Sequence, residues 1–303
     1  MVLASTSGSA LIALICVAVI VFLLGRTPMI VARAAAIAVK GMPAGESRDE
    51  CMAAVQRWWT RRLTAIALGI AFGSFASAFY VWWVGADRGG PAVDLLVLGA
   101  AAGAALGCSW VGIGRRRLVP TSGPRVAHAH RAALTRVAAT WLRVAAWGAV
   151  CGAVVLAIIG AVVAAVSPRF AGYSPVLPPS LILLLLAIGS VVALELVGRL
   201  LMSVATKATN QAQLLSDDLV QWLVVRDLAT AAAGLGLASM VLTVPDLIVN
   251  LNVPLWPELA HSLPWIAAGG LAAAALYPVW AAGPARMDAA AATGAVLSGS
   301  TRQ

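Results

Sequence analysis

Charge is scarce in this chain. Asp, Glu, Lys and Arg make up 11% of its 303 residues, where a soluble globular domain carries about a quarter. So few charges cannot cover a water-facing surface of this size, which excludes a soluble domain. Histidine is scarcer still. His128 and His130 stand two apart and point away from each other on a helix, and His261 is the only other. The four cysteines include no C-x-x-C pair, which removes zinc-ribbon and thioredoxin-type spacings. Cys16, Cys108 and Cys151 fall within apolar runs and read as small packing residues.

Other absences bear on activity. No glycine-rich phosphate loop is present, because the glycines lie mainly inside apolar runs. Ser74, Ser77 and Ser109 have no His or Lys at matching depth, so a nucleophile–base arrangement within the membrane has no support. The expectation is a protein that is not an enzyme and needs no cofactor. No basic patch interleaved with aromatics marks a nucleic-acid surface.

What the chain does have is apolar length. Apolar residues make up 61% of it and mean hydropathy is +0.91. About 20 apolar residues cross ~30 Å of hydrocarbon. Seven runs qualify: 8–25, 63–84, 94–113, 144–166, 180–202, 228–248 and 265–282. The fold class expected is all-α: a polytopic transmembrane helical bundle forming a single integral membrane domain over 1–303. Its leader has no basic n-region, so the first run reads as an anchor, with cleavage near "ARA" at Ala32–Ala34 as the alternative.

The cations then set the threading. Nineteen of the 21 Lys and Arg residues fall on one side of these runs, and only Arg88 and Arg169 on the other. Positive residues stay in the cytoplasm, which places the N-terminus outside and the C-terminus inside. The expected partner is a bilayer with anionic headgroups at the inner face. The preference for Arg over Lys and the abundance of Ala suggest a GC-rich bacterium, hence a bacterial inner (plasma) membrane.

The inner segments 27–61, 115–143 and 203–226 read as amphipathic helices, followed by a short tail, 283–303. Thr27 with Pro28 is a helix start, "SRDE" at Ser47–Glu50 a capping box running into the second span, and "SDD" at Ser216–Asp218 a start before the sixth. Gly-Arg closes three spans, at Arg26, Arg115 and Arg199, and Trp then Arg precedes three others, at Arg61, Arg143 and Arg226. This pattern suggests three parallel two-helix units plus a final helix. The mitochondrial carrier family shares that plan, but its Pro-x-Asp/Glu-x-x-Lys/Arg signature is missing from "GRTPMIV", "GRRRLVP" and "GRLLMSV", which excludes it.

Few residues are candidates for a site. Glu195 lies ~22 Å into the fifth span, and Arg199 follows one turn later in the favourable Glu-before-Arg order. The pair reads as local neutralisation near the interface, or as a coupling site, because intramembrane acids are functional candidates. Glu258 and His261, at i,i+3, are a weak candidate metal pair. Gly69/Gly73, Gly99/Gly103/Gly107 and Gly148/Gly152 repeat the G-x-x-x-G step, which lets helix backbones approach closely. They predict that spans two, three and four form the tight centre, with a homodimer face as the other use. Two functions remain open: a scaffold or accessory subunit of a membrane complex, or a small secondary transporter with Glu195 in its pathway.

Overall fold

The computed structural model describes residues 2–39, 46–84, 92–113, 140–166, 178–203, 211–250 and 257–280. Among them are eight helices and no strands: α1 (Val2–Arg26), α2 (Pro28–Ala38), α3 (Glu46–Val84), α4 (Ala92–Ile113), α5 (Thr140–Val166), α6 (Pro179–Ser203), α7 (Gln211–Asn250) and α8 (Pro257–Trp280). Five contain a segment long and apolar enough to cross a membrane: α1, α3, α5, α6 and α7. The apolar stretches of α4 and α8, Val93–Ser109 and Ser262–Ala273, are shorter.

The organising helix is α7, which packs against α3, α4, α5, α6 and α8. Two thirds of its apolar window, Leu223–Val244, is buried, against 11% to 39% for the other four spanning candidates. Small side chains permit this. Ala229, Ala231, Ala232 and Ala238 are all buried, so neighbours approach from several sides. Its hydroxyls are satisfied within the bundle: Thr230 donates to the Arg226 carbonyl and Thr243 to that of Ser239. Ser239 donates across to the Ser180 carbonyl of α6 at 2.8 Å.

Glycine joins α3 to α4. A Cβ on Gly69 would overlap the Gly103 carbonyl, one on Gly73 the Gly99 carbonyl, and one on Gly107 the Ala65 carbonyl. Side chains larger than hydrogen would force these backbones apart. The fourth span does not share this seam, contrary to the expectation from its glycines. Gly148 of α5 faces open space, and Gly152 meets the flexible Met240 side chain of α7. α5 packs on α7 and, over a short stretch, on α6. Among the described residues α4 sits mainly against α3, α7 and α8. The middle inner segment and the tail lie outside the described residues.

Local starts differ in part from expectation. Thr27 is the N-cap of α2 with Pro28 after it, but its hydroxyl donates back to Leu23 at 3.0 Å and caps nothing. α2 buries Val31 and Ala35 and packs on α3. α3 runs unbroken from Glu46 through the apolar run to Val84. α7 begins at Gln211, so Ser216 lies inside the helix and not at its start.

The outward faces are apolar. Leu68, Phe72, Phe75 and Phe79 of α3 are all exposed, as are Val155, Ile158 and Val162 of α5. Contiguous faces of this kind in water would be an aggregation surface; in a bilayer they are the solvent contact.

Candidate functional site

Ion pairs join helices at two places, each between side chains far apart in the chain. The first lies between α3 and α7. Arg62 donates Nε–H to Asp227 Oδ2 at 2.9 Å, with both side chains at 1% exposure or less. One helical turn before Arg62, Trp58 and Trp59 stack on each other with ring centroids 5.4 Å apart. The guanidinium carbon lies 5.5 Å and 5.0 Å from these centroids. The ring faces are negative and attract the cation, more strongly where water is excluded. Arg226 is buried beside Asp227, and Cys108 of α4 is buried close to both partners of the pair. Asp227 Oδ1 is buried with no hydrogen-bond partner among the described residues.

The second pair joins α5 to α6. Arg143 donates from Nη2 to Glu195 Oε1 at 2.6 Å, and Trp147 Nε1–H reaches the same oxygen at 3.2 Å. This pair is more open, at 27% and 21% side-chain exposure. The hydrogen-bonded partner of Glu195 is thus Arg143 on the neighbouring helix, where the sequence suggested Arg199 on its own. Arg143 and Trp147 are one turn apart on α5, and together they clamp one carboxylate oxygen. Arg199 is exposed one turn beyond Glu195.

The remaining sequence candidates fall differently. Gly69, Gly73, Gly99, Gly103 and Gly107 meet in the α3–α4 seam, while Gly148 and Gly152 do not. Glu258 and His261 are on α8, but their side chains lie outside the described set. Among the described residues, no group of three or more His, Cys, Asp or Glu is placed to hold a metal. All four cysteines are free.

Arg62, Arg226 and Asp227 were missed as a cluster. Hydropathy starts the second span at 63 and the sixth at 228, one residue past Arg62 and one past Asp227. An acid and bases at equivalent boundaries of two long helices were the available signal. No protein-family model matches the chain, and neither a curated protein nor a solved structure matches it.

Proposed function

We propose that this chain is a non-enzymatic multi-pass protein of a bacterial plasma membrane. It crosses seven times, N-terminus outside and C-terminus inside, and serves as a scaffold or accessory subunit of a membrane complex. One observation carries this reading: the most buried acid among the described residues is spent on a buried base. Arg62 and Asp227 tie α3 to the central helix under two indole rings, an arrangement suited to fixing helices. The broad apolar faces of α3, α5 and α6 supply area for lipid and for a membrane partner.

The test is gentle extraction of the tagged chain from its native membrane. A partner protein recovered in fixed proportion through two successive columns supports the subunit role. The chain emerging alone, and dissipating a pH gradient across vesicles that hold an entrapped pH dye, overturns it.

A transporter is the second reading, favoured by the partial exposure of Arg143 and Glu195. In it Glu195 is the coupling acid, and Glu195→Gln abolishes the gradient-dependent signal.

A further inference from the structure

Two shallow depressions run end to end along the outward side of α5. The first, about 430 Å³, begins at Arg143 and passes Trp147, Gly148 and Cys151. The second, about 350 Å³, continues from Trp147 and Cys151 to Val155, with Ile188 and Val192 of α6 as its other wall. From position 143 to 155 the helix rises ~18 Å. The groove exists for two reasons. Gly148 has nothing within 4 Å of where a Cβ would stand. Both α5 and α6 are drawn to α7 and meet each other over only a short stretch.

The walls are apolar and the head is charged. Arg143 and Glu195 lie near the ends of their apolar windows, Trp141–Val163 and Pro179–Arg199. That end is therefore at headgroup level whichever side faces the cytoplasm. Arg143 and the exposed Arg199 flank the single carboxylate of Glu195. Two guanidinium groups against one acid leave an excess positive charge there among the described residues.

A cationic head at interface depth above a dry channel matches one ligand class in both parts. Its phosphate answers the guanidinium groups, and its acyl chain lies along α5 past Gly148. A zwitterionic lipid also brings a phosphate, but its own ammonium offsets that charge, so only an anionic headgroup answers the excess cation. Basic pockets between transmembrane helices hold anionic headgroups in this way. We propose that the α5–α6 groove binds one anionic phospholipid. The proposal needs α5 and α6 to lie in a bilayer and is independent of the scaffold role, so a chain that proves to be a transporter leaves it standing.

The full-length protein is reconstituted in phosphatidylcholine discs containing a minor fraction of phosphatidylglycerol. Lipids retained after release into the gas phase are counted by native mass spectrometry. Wild type is expected to keep one phosphatidylglycerol in preference to phosphatidylcholine. Gly148→Leu fills the channel without touching the ion pair, and retention falls while the unfolding midpoint is unchanged. Should that variant not fold, Cys151→Phe fills the same channel from an exposed position. Arg199→Gln removes the excess cation and leaves the Arg143–Glu195 pair intact, and its preference for phosphatidylglycerol falls about fivefold, the factor one basic residue is worth beside an anionic surface. Equal retention of the two lipids by wild type, unchanged retention with the channel filled, or a dimer that the filled channel dissociates would each overturn the proposal.

Discussion

Arg62 and Asp227 are 165 residues apart in the chain and 2.9 Å apart in space. The bond ties α3 to the helix around which the bundle is built. Its geometry is that of a clamp: one guanidinium N–H on one carboxylate oxygen, two indoles beside the cation, and almost no exposure of either partner.

A buried pair is expensive to break from one side. Removing a single partner strands the other charge, at a cost of about 3–5 kcal/mol, whereas replacing both with apolar groups is often neutral. Arg62→Leu and Asp227→Leu alone should each lower the unfolding midpoint in mild detergent, and the double variant should recover most of the loss. Additive losses would show that the two residues are not coupled.

The glycine seam makes a sharper contrast. Gly103→Leu drives a side chain into the Gly69 carbonyl and the Gly73 Cα, and overpacking a tight contact costs typically 1–3 kcal/mol. A Cβ at Gly148 meets nothing within 4 Å, so Gly148→Leu extends into the open groove and should unfold with wild type. The two substitutions are chemically identical, so equal midpoints in thermal melts would refute the seam.

Glu195→Gln should be far milder than Asp227→Asn. Arg143 and Glu195 are about a quarter exposed, so headgroups and water take over the loosened guanidinium. The stability lost should be of order 1 kcal/mol or less. Unfolding of the two variants side by side ranks the pairs, and an equal loss would mean Glu195 is held as tightly as Asp227.

Sidedness is open to direct labelling. Introduced at Arg116 on a background lacking the four native cysteines, a single cysteine should resist a membrane-impermeant maleimide in intact cells. It should react once the membrane is opened. Reaction in intact cells would reverse the threading proposed here.

Much of the fold was legible because a spanning helix is written in composition alone: about 20 apolar residues and few charges. Glu195 was legible for the same reason, as an acid in an oily run. Its partner was not. Arg199 is four residues away and Arg143 is 52, and nothing in the spacing of one helix reports which neighbour packs beside it. The Arg62–Asp227 pair was hidden by the habit of ending a span at its first charge, although both helices continue well beyond it. The glycine steps point to close approach among spans two, three and four; those of α3 and α4 meet, but close approach does not make a centre. The centre belongs to α7, whose alanines allow neighbours on several sides.

The central position of α7 sets an order of events during synthesis. Chains emerge at about 5–20 residues per second, so the 165 residues between Arg62 and Asp227 take roughly 8–33 s to make. For that interval α3 is out of the ribosome with a cation whose counter-ion does not yet exist. Arg62 stands one residue outside its apolar run, so interfacial water and lipid phosphate can solvate it in the meantime, and its burial waits for α7.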